Sequence, residues 1–294
     1  MIKFKHLFYT AILSTLLYSC GNDSNSTVDN FDHEAQAVID NDSLIAFLKN
    51  NYYNADLDSV KVIDNGQTSL FDDNKLVTKE VVENDINYKL YYYVNSEGTP
   101  DPDKGFPTVM DSVYAKYRGQ KIVKKDSLSS DFDNNIAWFS LNGVIRGWTY
   151  SFVHFKGGKN VTGNGPITYE NGGKGILFIP SGLGYRNTGS RDGSIGANQN
   201  LIFYFELWDL VPNTDDDLDG IPSIMEDPDG DGDPRNDDTD EDFIPNYIDT
   251  DDDGDGILTK YEDKNGDGNP ANDFNDPNNP TVPDYLNRDI RVKY

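Results

Sequence analysis

The stretch Ile179-Pro180-Ser181-Gly182-Leu183-Gly184-Tyr185 lies in the middle of the chain and is the starting point for the fold. It follows one apolar run, Gly175 to Ile179, and precedes another, Leu201 to Leu210. Both runs are rich in the β-branched, aromatic and large aliphatic residues that favour strands. Proline and glycine between them mark a loop. We therefore expect two strands here, joined by a loop that carries a tyrosine.

Three more strand-like runs precede these, separated by Gly, Asn and Asp clusters: Tyr88 to Val94, Thr108 to Tyr117 and Ile136 to Leu141. The aromatic-rich segment Ile145 to Phe155 is a candidate for a helix that covers the sheet. Further upstream, the apolar spacing over 32–50 predicts one or two short helices, with Asp42 or Ser43 as a cap, packed on the next domain. The expected class is α+β with a compact antiparallel sheet.

Four separated blocks resemble the FKBP family of peptidyl-prolyl isomerases in their order and spacing. They are Val144-Ile145-Arg146-Gly147-Trp148, Gly157-Gly158-Lys159, Ile179 to Tyr185, and Leu201-Ile202-Phe203-Tyr204-Phe205-Glu206-Leu207. The resemblance covers roughly residues 83–212. It implies a strongly curved antiparallel sheet wrapped on one short helix, with an apolar pocket between them.

The resemblance also implies which residues form that pocket. Carried across position by position, they are Tyr117, Phe132, Asp133, Phe139, Val144, Ile145, Trp148, Tyr185, Ile195 and Phe203. The loop 119–135 diverges from the family, and Phe132-Asp133 is chosen because it is the only such dipeptide between Tyr117 and Trp148. Three other departures concern catalytic strength more than the fold: Arg186 follows Tyr185 where a glycine is usual, Gly196-Ala197 replaces the prolines usual after Ile195, and Tyr150-Ser151-Phe152 replaces an acidic-glycine turn.

These residue types suit the chemistry of prolyl isomerisation. Amide resonance places a barrier of roughly 18 to 20 kcal/mol on rotation about the peptide bond. A dry aromatic pocket disfavours the charge-separated resonance form relative to the twisted amide, so it favours the transition state. Trp148 would form the floor under the proline ring, the Tyr185 hydroxyl would donate to a substrate carbonyl, and Asp133 would face the amide. Catalysis would need no nucleophile, metal or cofactor.

The negative charge of the chain is concentrated at its C-terminal end. Residues 213–294 hold 26 acidic and 6 basic residues, whereas the formal net charge of the whole chain is −26. Such a field repels nucleic acid and anionic lipid, so cations are the expected partners. A solvated disordered acidic tail is the alternative that composition alone would favour.

Spacing within the acidic segment favours calcium loops. Thr214-Asp215-Asp216-Asp217-Leu218-Asp219-Gly220-Ile221 recurs as Thr250-Asp251-Asp252-Asp253-Gly254-Asp255-Gly256-Ile257. Each copy places acidic residues at positions 1, 3 and 5, a glycine at 6 and a glutamate at 12, which is a calcium-ligand spacing. Prolines interrupt the segment, so it is similar to thrombospondin type 3 repeats rather than to a helical EF-hand pair. The predicted structural calcium ligands, including partial copies, are Asp215, Asp217, Asp219, Ile221, Glu226, Asp227, Asp229, Asp231, Asp238, Asp240, Asp242, Asp249, Asp251, Asp253, Asp255, Ile257, Glu262, Asp263, Asn265 and Asp267.

The N-terminal residues have the pattern of a lipoprotein signal. A basic start and an apolar run from Leu7 to Leu17, too short to span a bilayer, precede Leu17-Tyr18-Ser19-Cys20. This resembles a bacterial lipobox, which implies cleavage before Cys20 and lipidation of that cysteine. An ordinary signal peptide is the alternative. We expect a membrane-anchored lipoprotein that lies in the periplasm or on the cell surface, with the outer membrane as the favoured location of its anchor.

The predicted organisation follows from these segments: signal peptide 1–19, lipidated cysteine and tether 20–31, helical or irregular segment 32–82, FKBP-like domain 83–212, calcium-binding repeats 213–287 and a C-terminal end 288–294. The predicted function is an anchored peptidyl-prolyl isomerase acting on Pro-containing exported proteins. The alternative is an FKBP-fold protein that has lost catalysis and serves as a binding lipoprotein. His33 and His154 have no Cys or Ser at a suggestive spacing, so a hydrolase has little support.

Overall fold

The computed structural model describes residues 29–294. The predicted signal peptide, Cys20 and most of the predicted tether lie outside the described residues. Within the described part of the chain, no helix combines the length and the apolar character that crossing a membrane requires.

An antiparallel sheet forms the centre of the fold. Its strand order is β3-β4-β10-β11-β5, and β6 and β7 both pair with β5. The strands are β1 (Asn51–Asn54), β2 (Ser59–Val62), β3 (Leu76–Glu83), β4 (Ile86–Ser96), β5 (Ser112–Lys124), β6 (Ser127–Leu128), β7 (Asp133–Ser140), β8 (Lys159–Asn160), β9 (Tyr169–Glu170), β10 (Gly173–Ile179) and β11 (Leu201–Val211). The helices are α1 (His33–Asn50) and α2 (Arg146–Phe152). The predicted α+β class with an antiparallel sheet is confirmed.

Both faces of the central strands are buried, which explains their continuous apolar runs. Along β11, Phe203 and Phe205 point into a core shared with α2, whereas Ile202 and Tyr204 point into a second core under α1. Successive side chains of a strand point to opposite faces, so burial on both sides leaves few polar positions. The five predicted strands fall within β4, β5, β7, β10 and β11 apart from one or a few terminal residues.

Strand β3 is part of the same sheet although no strand was predicted there. It pairs with β4 over its whole length, from Leu76 opposite Tyr93 to Glu83 opposite Ile86. The sheet therefore begins before residue 83, where the predicted FKBP-like domain starts. On this edge strand Thr78, Glu80 and Val82 form an exposed face, whereas Lys79, Val81 and Glu83 on the other face are half-buried or buried, so polar residues interrupt the apolar run.

Helix α1 is one continuous helix of 18 residues, so the prediction of a cap at Asp42 or Ser43 was wrong. Both residues lie in its middle. Leu44, Phe47 and Leu48 are fully buried against the sheet, and this packing outweighs the modest helix propensity of Asp and Ser. The predicted packing on the next domain is confirmed.

Helix α2 crosses the other face of the sheet and positions the centre of the apolar core. Its Trp148 and Phe152 are buried, and the Phe152 ring lies 4.6 Å from the Phe205 ring on β11. A Cβ atom on Gly147 would come within 2.4 Å of the Ile179 side chain. Glycine at this position therefore lets the helix lie close to β10.

The acidic segment after residue 212 is an irregular chain punctuated by single turns of 3₁₀ helix. The turns are Ser223–Met225, Asn246–Ile248, Thr259–Tyr261, Pro270–Asn272 and Asp284–Leu286. A backbone hydrogen bond recurs at several of them, from Ser223 to Thr214, from Thr259 to Thr250 and from Asn246 to Asp237. The sequence repeat thus corresponds to a structural repeat.

The acidic segment packs on the sheet domain within one compact unit that runs from His33 to Tyr294. Thr214 joins the two parts: its amide donates to Asp111, and its hydroxyl accepts a hydrogen bond from the Ser112 amide, both at 3.0 Å. Asn142 donates to Asp216 at 2.8 Å. Buried Ile221 and Tyr285 give the segment a small apolar interior.

Candidate functional site

A cavity of about 730 Å³ opens between the sheet and α2. Its lining comes from β5, β7, β11, α2 and the loop after β10. The lining residues are Glu83, Asn84, Tyr117, Phe132, Asp133, Phe139, Gly143, Val144, Ile145, Arg146, Trp148, Gly182, Gly184, Tyr185, Arg186 and Phe203. Every pocket residue that the resemblance implied is in this set except Ile195.

Trp148 lies at the centre of the cavity. Its indole packs edge-on against the rings of Tyr117, Phe139 and Phe203, with centroid distances of 4.9, 5.2 and 5.1 Å. Such edge-to-face contacts are the favourable geometry for aromatic rings. Only 4% of the Trp148 side chain is exposed, so it has the position of a floor.

Phe132 and Asp133, which were placed in the pocket by elimination, lie on its wall. The Phe132 ring packs edge-on against Phe203 at 5.5 Å, and the Phe132 amide donates to the Gly119 carbonyl at 2.9 Å. A Cβ on Gly119 would approach both phenylalanine rings to within 2.6 Å. Glycine at 119 therefore makes room for this aromatic wall.

Asp133 is tied to Tyr117. The Tyr117 hydroxyl donates to Asp133 Oδ2 at 2.7 Å. Burial, together with this hydrogen bond and the charge of Asp133, raises the pKa of Tyr117. Burial also raises the pKa of Tyr185, and the charges of Asp133 and Asp192 add to that effect. Both phenols therefore stay protonated at neutral pH and can donate hydrogen bonds.

Ile195, which the resemblance also assigns to the pocket, lies behind the lining described above. Its side chain is 2% exposed and buried in the apolar core that Leu183 and Leu201 share. Two hydrogen bonds at 2.9 Å between Ser190 and Ile195 close the loop and hold that side chain inside. Nothing in the spacing of the sequence distinguishes a residue on the lining from one directly behind it.

Charged side chains form the rim of the cavity. Glu83 accepts a hydrogen bond from the Tyr150 hydroxyl at 2.6 Å, and Arg146 and Arg235 lie 3.6 and 3.4 Å from its carboxylate. Arg235 belongs to the acidic segment. Sequence reasoning missed this cluster because its members are far apart along the chain and only β3 brings Glu83 to the pocket.

The acidic segment contains groups of carboxylates with oxygens close enough to share a cation. In each group, one oxygen from each residue lies within 4.8 Å of the others. The groups are Asp215/Asp217/Asp219, Asp219/Glu226/Asp252, Asp227/Asp229/Asp237, Asp238/Asp240/Asp242 and Asp251/Asp253/Asp255. Several residues that were predicted at positions 1, 3 and 5 therefore do lie together.

Glu226, which belongs to one of these groups, and Glu262, which belongs to none of them, are the two predicted ligands at position 12. They are 0% and 1% exposed, and neither oxygen of either carboxylate has a hydrogen-bond partner. Burial and neighbouring carboxylates raise the pKa of Glu226 to about 10 and that of Glu262 to about 9. Burying carboxylates without partners costs several kcal/mol each, as an order of magnitude, so the arrangement fits a bound cation.

Asp237 and Asp252 complete two of the groups and were missed in the sequence. Asp252 stands at the second position of its loop. The loop spacing turns the side chains at positions 1, 3 and 5 toward the centre of the loop, so a side chain at position 2 is expected to point away from that centre. It instead meets Glu226 and Asp219 of the preceding repeat. Asp231, Asp249, Glu262, Asp263 and Asp267 are not gathered with two further carboxylates among the described residues. Their role as calcium ligands stays a prediction. The same holds for Asn265 and for the backbone carbonyls of Ile221 and Ile257.

Comparisons with known proteins find a family model and an FKBP-type relative that match parts of the chain. The family model described as BamM C-terminal matches residues 216–289, which is the acidic segment. Over 101 residues, 34% of this chain, the sequence is 33% identical to a probable FKBP-type peptidyl-prolyl cis-trans isomerase, FkpA, of Neisseria meningitidis serogroup B. The match covers about a third of that relative, 32% of its length. The predicted resemblance to FKBP-type isomerases is thereby confirmed for that part of the chain.

Two solved structures also match. One is a peptidyl-prolyl cis-trans isomerase from Pseudomonas syringae pv. tomato, 18% identical, with a TM-score of 0.35, covering 62% of this chain and 97% of that one. The other is FkpA from Escherichia coli, 28% identical, with a TM-score of 0.32, covering 45% of this chain and 52% of that one.

Proposed function

We propose that the sheet domain is a peptidyl-prolyl isomerase of the FKBP type. The observation that supports this most is the aromatic cavity itself, in which Trp148 lies among Tyr117, Phe139 and Phe203. The FKBP-type relative supports the same conclusion. The substrates would be Pro-containing segments of exported proteins.

The cavity would lower the rotational barrier without a covalent step. A prolyl ring resting on Trp148 would leave water, and its amide would lose the solvation that favours the charge-separated planar form. The Tyr185 hydroxyl, which stays protonated, would hold a neighbouring substrate carbonyl. Asp133 keeps Tyr117 oriented through the 2.7 Å hydrogen bond and so helps to fix the aromatic wall.

Isomerisation of a short Pro-containing peptide by residues 21–294 tests this proposal. We expect acceleration that falls at least about ten-fold in Trp148→Ala and by a smaller factor in Tyr185→Phe. Trp138→Ala is the matched control, because Trp138 is 48% exposed and stacks on Tyr114 away from the cavity. No acceleration by folded protein, or equal losses in Trp148→Ala and Trp138→Ala, would contradict the proposal.

We further propose that the acidic segment binds structural calcium ions. Carboxylate oxygens are the ligands that calcium prefers, and the buried unpartnered oxygens of Glu226 and Asp252, which share a group with Asp219, would supply them. The expected affinity is submillimolar to millimolar, as in extracellular modules. Titration calorimetry on the whole chain would check this. Absence of binding up to about 10 mM, or nanomolar binding, would contradict it.

The lipobox-like residues before Cys20 support a third proposal, that the protein is anchored by lipidation to a periplasmic or surface-facing membrane leaflet. Metabolic labelling with a fatty acid would mark the wild-type chain and leave Cys20→Ser unlabelled. Labelling of Cys20→Ser would contradict the anchor.

Non-catalytic peptide binding is the second candidate function of the sheet domain, and one observation favours it. Arg186 directly follows Tyr185 at the pocket edge, where it adds a bulky cation in a left-handed backbone conformation, φ 53°. If peptides bind in the cavity without any change in their isomerisation rate, this second candidate is the correct one.

A further inference from the structure

Arg186 occupies a backbone conformation that disfavours any side chain. Its φ of 53° lies in the left-handed region, which glycine adopts without strain. The loop fixes this conformation, since the Arg186 amide donates to the Ser181 carbonyl and its carbonyl accepts from the Asn198 amide, both at 2.8 Å. A glycine would satisfy the same two hydrogen bonds. The arginine side chain therefore needs an explanation other than the loop.

The charged side chains that line the cavity suggest an explanation for the arginine at position 186. Glu83 is held by Arg146, Arg235 and the Tyr150 hydroxyl. Asp133 accepts from Tyr117, and Arg146 also donates to the Asn142 carbonyl at 3.2 Å. Three of the four charged lining residues are thus already engaged within the protein.

Arg186 is the fourth, and it differs from the others. Among residues 29–294, no carboxylate is recorded within 4.0 Å of its guanidinium. Its Nε atom is buried and has no hydrogen-bond partner. A buried donor of this kind is costly unless something pairs with it. Arg186 is also one of the residues that line the cavity, next to Tyr185.

We propose that Arg186 is a specificity-determining residue that receives an acidic group of the substrate next to the prolyl bond. The planar guanidinium matches a carboxylate in charge and geometry. The preferred clients are accordingly Pro-containing segments with Asp or Glu adjacent to the proline. This inference rests on the proposed function, because it assumes that a prolyl peptide occupies the cavity.

The net charge of −26 does not oppose this selection at close range. Exposed charges more than about 10 Å apart are largely screened at 0.1 M salt, whereas a contact inside the cavity is screened much less. Comparing variants on the same peptide also cancels the long-range repulsion, so a local effect of Arg186 can be measured separately.

The test uses residues 21–294 with calcium present and peptides that carry Glu, Gln or Lys directly before or after one proline. Isomerisation is followed by NMR exchange, which needs no protease with a sequence preference of its own. We expect the wild type to favour the Glu peptide over the Gln peptide by about three- to five-fold in kcat/KM at one of the two positions. Arg186→Gly, which suits the left-handed backbone, should abolish that preference, and Arg186→Glu should transfer it to the Lys peptide.

Arg191→Gly is the matched control, because Arg191 lies in the same loop, is exposed and does not line the cavity. It should keep the preference for Glu. Equal rates for the Glu and Gln peptides in the wild type, or a preference that survives Arg186→Gly, would overturn the inference.

Equilibrium binding of the same peptides, measured by fluorescence anisotropy, separates this inference from the proposed function. If no peptide is isomerised, the catalytic proposal fails, but tighter binding of Glu than Gln peptides that Arg186→Gly removes would still support Arg186 as the specificity residue. Equal binding of both peptides would overturn it.

Discussion

Arg235, in the acidic segment, donates a hydrogen bond to the hydroxyl of Tyr150 on α2 at 3.1 Å. The same guanidinium lies 3.4 Å from Glu83 at the rim of the cavity, and it also pairs with Asp233. The Arg235 and Glu83 side chains are only 17% and 13% exposed. The acidic segment therefore supplies part of the structure that supports the cavity.

Replacing Arg235 tests how much this contact stabilises the protein. Arg235→Gln leaves the largely buried Glu83 carboxylate with the Tyr150 hydroxyl and with Arg146 as its remaining cation, so we expect a loss of about 1 to 3 kcal/mol in the free energy of unfolding. Urea denaturation with calcium present measures it. Arg291→Gln removes the same charge from an exposed position of the same segment and should change stability by less than about 0.5 kcal/mol. Equal losses in both variants would show that net charge, not the contact, is responsible.

Gly143 lines the cavity, whereas Gly119 packs against the rings of Phe203 and Phe132 that form its wall. A Cβ on Gly119 would lie 2.5 Å from Phe203 and 2.6 Å from Phe132, whereas a Cβ on Gly143 would have no atom within 4 Å. We expect Gly119→Ala to destabilise the fold by about 1 to 3 kcal/mol and to displace the aromatic wall, lowering peptide binding. Gly143→Ala should change stability little. Thermal unfolding and peptide binding of the two variants give the comparison, and similar behaviour would contradict the wall described here.

Glu226 should oppose folding when calcium is removed. Its buried carboxyl, with a pKa raised to about 10, must be either protonated or paired with a cation. Glu226→Gln should therefore raise the melting temperature measured in EDTA, while it lowers calcium affinity by at least about ten-fold. Asp289→Asn, on an exposed residue, is the control. A variant that is destabilised in EDTA and binds calcium as tightly as the wild type would exclude Glu226 as a ligand.

The resemblance placed most of the pocket correctly, because Val144, Ile145 and Trp148 lie within five residues of one another at the start of α2. The spacing of the loop carboxylates at positions 1, 3 and 5 also predicted that they lie together, because a single turn of chain brings these positions to one centre. What the sequence did not show depends on distant pairing. Asp252 meets Glu226 across two repeats, and only the sheet register brings Glu83 to Arg146.

The misplaced cap on α1 has a similar origin. Asp40, two residues before the predicted cap, is buried on α1 and accepts hydrogen bonds from the amide and the hydroxyl of Ser181, at 2.8 and 2.6 Å. Acidic and hydroxyl residues in the middle of a helix suggest an interruption when only local propensity is considered. Here a partner 141 positions away accounts for the aspartate.

His154 makes the stability of the sheet domain depend on pH. Its ring stacks on Tyr92 at 4.9 Å, and Lys79 Nζ lies 3.3 Å from Nε2. Burial, and then the charge of Lys79, lower the pKa of His154 below its usual 6.5. Between that lowered value and 6.5 the unfolded chain binds more protons than the folded one, so the stability contribution is present above 6.5 and is lost as the pH falls.

We therefore expect His154→Phe, which keeps a ring on Tyr92, to lose less stability than the wild type between pH 7 and pH 5. The acidic segment titrates in the same way in both proteins, so its contribution cancels when the pH dependence of one free energy of unfolding is subtracted from that of the other. Lys79→Met should also reduce the pH dependence, because it removes the charge that adds to the effect of burial. Urea denaturation at a series of pH values with calcium in excess makes the measurement, and parallel curves for wild type and His154→Phe would show that His154 titrates alike in the folded and unfolded chains.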